Sequence, residues 1–280
     1  MTERLAEATR RLDNVHQLEA VVTAMRAIAA SRAQQARGLL PGIRVHTSVI
    51  AHAIGQALAL LPDEYQPVRG RARRGATILF CAEQGFAGAF SDHMLDAAET
   101  DTAAGRDLFL VGARGVMLAE ERRVSLAWHA SMIPHAVLVP VLAGRIIDAL
   151  YGWLSDRAGN EVDVIVPTWS AAGGVAVDRR SLLPFDFRRF ATPMSGQPPL
   201  ITLPPPVLLA RLAEEYVFAE LCEAALTAFA AENEARVAAM LAAKGNLEHM
   251  RSDLEALERQ IRQDEITAEV VELASGAGLR

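Results

Sequence analysis

Lysine is nearly missing from this chain of 280 residues: of its 28 basic side chains only Lys244 is a lysine. Arginine therefore supplies almost all the positive charge, a bias that reads as genome composition before function. Positive charge is also outweighed, at a net −6 and a pI near 5.7, which argues against a primary nucleic-acid binder. Cysteine is scarce. Cys81 and Cys222 lie far apart and give neither a disulfide framework nor metal-ligand spacing. No apolar run is expected to reach the length of a membrane span, about 18 residues. The N-terminus (MTERLAEATRR) lacks a signal-peptide core. Together these point to a soluble, cytoplasmic chain. Aromatics are only 5 %, and the many alanines favour helices packed through small side chains.

What is present in quantity is apolar helical pattern. The apolar fraction is 51 % and the mean hydropathy +0.16, ample for a core. Past Pro206 the chain runs to Ser275 without a proline, and Gly245 is its single glycine. Leu226, Ala230, Asn233, Val237, Met240, Lys244, Leu247, Met250, Leu254, Leu257 and Ile261 recur at steps of three and four. A strict 3.5-residue repeat demands a partner helix, and Asn233 and Lys244 are polar interruptions of the kind that fix register at some cost in stability. About 70 helical residues span roughly 105 Å, whereas a globule of this chain length is about 50 Å across. The helix outgrows its own domain.

The partner is at the other end. Leu5, Ala8, Leu12, Val15, Leu18, Val22, Met25 and Ala29 form one helical stripe. Pro41-Gly42 is expected to bend or break that helix, after which Ile50, Ile54, Leu58 and Leu61 resume it. Residues 63–74 read as an arginine-rich, solvated linker. Short apolar strands follow at 76–82 (ATILFCA), 107–112 (DLFLVG) and 162–168 (VDVIVPT), with helices near 90–100, 115–121 and 138–156 between them. That alternation indicates a parallel or mixed sheet flanked by helices. Residues 184–190 (PFDFRRF) read as an edge strand, and the proline-rich stretch 192–206 as a linker. The fold class is therefore α/β. A long antiparallel coiled coil of N- and C-terminal helices (1–62 and 206–280) carries an inserted Rossmann-like domain (75–192).

Chemistry is hard to find. Gly85 and Gly88 lie in a strand-to-helix turn, EQGFAGAFS at 83–91. Such turns cradle phosphates, but the spacing matches neither a Walker nor a dinucleotide motif. A tight turn with close packing is the plainer reading. The seven histidines lack metal-ligand spacing, and no serine sits in a nucleophile elbow. No catalytic residue, metal or cofactor is expected.

Four motifs then resemble one family, the gamma subunit of F-type ATP synthases. TAMRAIAASR at 23–32 is similar to its T-x-A-M-x-x-V-A-A-x-K helix. The loop 83–91 resembles G-L-C-G-G-L-N, with Ala87, Ala89 and Ser91 where cysteine, glycine and asparagine are usual. ENEARVAAM at 232–240 looks like S-E-x-x-A-R-M-x-A-M. RQDEITAE at 262–269, with Glu272, Gly276 and Ala277, resembles R-Q-x-x-I-T-x-E-x-x-E-x-x-x-G-A. The resemblance implies a central rotor shaft inside a hexamer of alpha and beta subunits. Its foot would meet an epsilon-type subunit and the c-ring of the membrane sector. The complex would stand peripherally on the cytoplasmic face of the inner (plasma) membrane. It implies that Arg262, Gln263, Thr267 and Glu269 meet the beta subunits, that Met25 and Arg26 lie beside an acidic loop of beta, and that Gly85 and Gly88 shape a structural loop. Two other readings stand beside it: a nucleotide-binding enzyme of the middle domain, and a coiled-coil scaffold with no motor role.

Overall fold

The computed structural model describes residues 3–61, 75–154, 161–190 and 199–277. The arginine-rich linker expected at 63–74 lies outside them, as do residues 192–198 of the proline-rich one. Contacts divide the chain into two units, 1–29 with 237–280 and 30–236.

Two helices open and close the chain, α1 (Glu3–Leu58) and α6 (Pro205–Ala277). In the first unit α1 and α6 meet through Leu5, Ala8 and Ile261. Arg251 Nη1 donates to Glu19 Oε2 at 3.2 Å. The partner on α6 falls in number as that on α1 rises, so the pair is antiparallel. Glu19 is half-buried at this bond. Lys244 is half-exposed and pairs with Glu248 on its own helix at 3.5 Å. The heptad seam is only partly closed: Met240 and Ile261 are buried, while Met250 and Leu257 are exposed. A straight helix of 3.6 residues per turn drifts about 20° per heptad against a 3.5 repeat, which turns such positions outward.

In the second unit the same two helices pair again. Arg37 bridges to Glu234, and Arg44 Nε donates to Glu223 Oε1 at 3.1 Å. The expected break at Pro41-Gly42 does not occur; Pro41 lies inside α1. An interior proline costs about 3 kcal/mol, but these ion pairs and the buried Ala36 and Thr47 anchor the helix on both sides.

The inserted domain is a five-stranded sheet in the order β3-β2-β1-β4-β5. Its strands are β1 (Gly75–Phe80), β2 (Asp107–Val111), β3 (Leu126–Ala130), β4 (Glu161–Ser170) and β5 (Gly174–Leu183). All neighbours are parallel except β4 and β5. β1 is buried along its whole length, as a central parallel strand covered on both faces must be. α2 (Phe90–Ala97), α3 (Glu99–Ala103) and α4 (Ala113–Glu121) join the first strands. Leu79, Cys81, Leu108, Leu110 and Ile165 pack with Phe90, Met94, Leu118 and Ala119. On the opposite face Ile78, Phe80, Phe109, Val162 and Val164 pack with α5 (Val139–Leu154) and with α6 from Leu221 to Ala230.

Gly112 is required where β2 turns into α4. Its φ is +116°, and a Cβ there would lie 2.4 Å from the carbonyl oxygen of Cys81.

Two expectations need correction. Residues 184–190 are not an edge strand. The chain leaves β5 and makes a 3-10 turn at Phe187–Arg189, which puts Phe185, Phe187 and Phe190 into a cluster with Tyr216 of α6. The antiparallel edge is β5 itself. The second concerns long apolar runs: residues 136–154 reach spanning length, with a mean hydropathy of 1.5. This is the sheet-packing helix α5, apolar because Val139, Leu142, Ala143, Ile146 and Leu150 enter the core.

Candidate functional site

The partner-contact candidates lie on helix surfaces of the first unit. Met25 and Arg26 are half-buried on α1; Arg262, Gln263, Thr267 and Glu269 are exposed on α6. Arg262 Nη2 donates to Glu258 Oε1 at 2.9 Å, and the Thr267 hydroxyl to the Gln263 carbonyl at 2.8 Å. Ile261 packs beside Leu5 and Ala8, so residues 262–269 sit some 20 residues along α1 from Met25. At 1.5 Å per residue that separation is roughly 30 Å, and the structure does not bring the two groups together.

The glycine loop is the more elaborate site. It leaves β1 and enters α2. Gly88 takes the left-handed conformation (φ +61°), and so does Phe86 (φ +64°). A bulky side chain adopts that region at a cost, and Phe86 is 67 % exposed. The Ser91 hydroxyl accepts the Ala82 N–H at 3.1 Å. Glu83 Oε2 accepts N–H groups from Ala113 at 3.0 Å and Met132 at 2.7 Å, tying together the ends of three strands.

What holds the loop comes from α6. Glu232, Asn233 and Arg236 are 2 %, 1 % and 6 % exposed. Glu232 Oε1 accepts the N–H of Glu83 at 3.0 Å and, longer, of Gln84 at 3.5 Å. It pairs with Arg236 Nη2 at 2.5 Å. Arg236 also donates from Nε to the Gly85 carbonyl and from Nη2 to the Gln84 carbonyl, each at 3.3 Å, and from Nη1 to Asn233 Oδ1 at 3.2 Å. Asn233 Nδ2 donates to the Phe229 carbonyl at 2.8 Å. Burial pushes the Glu232 carboxyl above its usual range, and the guanidinium and the two amides oppose that rise.

This geometry bears on the phosphate-cradle reading. The amides that a phosphate would recruit at this turn already grip a protein carboxylate. In sequence Glu232 and Arg236 fall in the 232–240 motif, with no role assigned to either. Their signal was charges at i, i+4 inside an alanine-rich stretch, each one residue before a position of the apolar stripe, Asn233 and Val237. Burial also pushes the thiols of Cys81 and Cys222 up, Cys222 to about 12.

A family model described as ATP synthase matches residues 4–278. The ATP synthase gamma chain of Streptomyces avermitilis is 28 % identical, with 99 % of this chain and 96 % of that one aligned. The chain belongs to the ATP synthase gamma family. The gamma chain of Frankia casuarinae is 27 % identical over 99 % of this chain and 98 % of its own. Among solved structures, the rotor of Euglena gracilis mitochondrial ATP synthase superposes with a TM-score of 0.61 at 12 % identity, over 94 % of this chain and 98 % of that one. In this gamma-family chain the loop 83–91 is held to residues 232–236 of α6 by the bonds that Glu232 and Arg236 make to its backbone.

Proposed function

We propose that this chain is the central-stalk rotor subunit of an F-type ATP synthase. It couples ion translocation through the membrane sector to ATP synthesis or hydrolysis on the alpha/beta hexamer. The observation that carries this reading is the surface of the first unit. Its antiparallel helices bury few side chains between them and leave Leu18, Val21, Ile28, Leu241, Ile266, Val270 and Val271 exposed. Apolar surface of that extent on a helix pair calls for a partner around it, as a shaft in a collar has. Rotation of an asymmetric shaft then biases each catalytic subunit in turn through differential contacts.

In this reading the chain has no catalytic site of its own, and nucleotide chemistry takes place on beta. Its partners are the alpha and beta subunits, an epsilon-type subunit and the c-ring, and the complex is peripheral on the cytoplasmic face of the inner membrane. Arg262, Gln263, Thr267 and Glu269 meet the beta subunits, as do Met25 and Arg26 at another height. The exposure of Arg262, Gln263, Thr267 and Glu269 supports that role, since a surrounding subunit can reach them. Co-expression with alpha and beta subunits tests it. A complex whose ATPase depends on this chain is expected; assembly at an unchanged rate without it sinks the reading.

A further inference from the structure

We infer that Glu232 and Arg236 form a latch that fixes the rotational register of α6 against the inserted domain, so that turning of the helix is passed on without slip. This rests on the rotor reading above. α6 meets the sheet mainly through Leu221, Ala224, Ala225, Leu226, Ala228 and Phe229. Such contacts are non-directional, and the alanines among them present no large side chain to interlock. They stabilise burial of the helix without choosing strongly among neighbouring angular settings. The latch is the directional element. A carboxylate grips two N–H groups and a guanidinium reaches two carbonyls, all on consecutive backbone positions of one loop. Rotation of the helix by one residue, about 100°, would withdraw both side chains from the loop, leaving its two N–H groups and two carbonyls without these partners and the ion pair with only itself. Single buried polar groups set register in paired helices in the same way. The loop is in turn fixed to three strand ends through Glu83, so the register is referred to the sheet as a whole. Glu232 and Arg236 are thus positioning residues that act through the loop.

The test uses the full chain and the complex assembled from it. The double variant Glu232→Met, Arg236→Met removes both charges at similar volume, an exchange that buried pairs tolerate with little loss of stability. Hydrogen exchange at the amides of Glu83 and Gln84 is expected to rise by about one to two orders of magnitude as their bonds to Glu232 disappear. In membrane vesicles, ion pumping per ATP hydrolysed, read with a potential-sensitive dye, is expected to fall several-fold while hydrolysis continues. Arg236→Lys keeps the charge but loses the fork, and is expected to resemble the double variant. Unchanged exchange at Glu83 and Gln84 would overturn the latch. Pumping per ATP at the wild-type level, in either variant, would overturn its role in coupling. A complex lacking the chain that pumps normally would instead defeat the rotor reading, and this inference with it.

Discussion

Replacing Arg236 by methionine tests the latch from the side of stability. The exchange keeps the volume and removes the bonds to Gln84, Gly85, Asn233 and Glu232. Glu232 is left 2 % exposed with two amide N–H groups as its remaining partners. Breaking a buried pair from one side costs about 3–5 kcal/mol. At about 2–4 °C per kcal/mol for a chain of this size, the melting midpoint should drop by roughly 10 °C. The loss should also depend on pH. Burial already raises the Glu232 carboxyl, so the stability tied to it is full below the ordinary glutamate range and declines as pH rises through the raised folded value. Without the guanidinium the carboxyl rises further, and the decline deepens. Urea unfolding followed by circular dichroism should therefore show a smaller deficit at pH 5 than at pH 8. The double methionine variant should recover most of it. A deficit under about 1 kcal/mol, or one equal at both pH values, would refute the reasoning.

Three further outcomes follow from the same structure. Gly112→Ala places a Cβ 2.4 Å from the Cys81 carbonyl at a φ of +116°, and should cost about 3 kcal/mol or more in urea unfolding. Cys81 and Cys222 are buried, and the Cys222 thiol is pushed up to about 12. Neither should react with a disulfide reagent at pH 8 until the chain unfolds, whereas prompt reaction of the folded protein would contradict that packing; the stability tied to Cys222 persists below the ordinary thiol range and is lost as pH rises toward 12. Arg262→Ala with Gln263→Ala removes exposed side chains and should change stability by no more than about 0.5 kcal/mol while weakening coupling in the assembled complex. A large loss of stability, or unaltered coupling, speaks against the proposed contact.

The parts of the fold that were legible in sequence are those governed by a repeating apolar pattern. α1 and α6 announced themselves through stripes at helical spacing, and β1, β2 and β4 through short apolar runs buried on both faces. β3 (LAWHA) was missed because it is short and alternately exposed. β5 was missed because it carries Asp178, Arg179 and Arg180 in mid-strand. These charges pay for their place there through pairing, Arg179 with Asp101 at 2.7 Å and Arg180 with Asp178 at 2.8 Å. The F-x-F spacing at 185–187 imitated a strand because aromatics suit strands, yet three-dimensional clustering with Tyr216 decided its shape. Pro41 shows the same override of local preference by anchoring on either side. At the candidate site the loop was visible through Gly85 and Gly88, but its grip was not. Glu232 lies 149 residues from Glu83, and no local pattern reports a bond across that distance.

The lone lysine has a practical consequence. Lys244 is half-exposed on α6, held beside Glu248, and no other side chain in the chain carries a primary amine. Amine-directed labelling therefore has one side-chain target besides the chain's own N-terminus. A lysine-specific protease likewise has one peptide bond to cut, after residue 244. A single fluorophore can thus be seated on this helix without mutating the protein, and its polarisation would report the helix's angular motion directly.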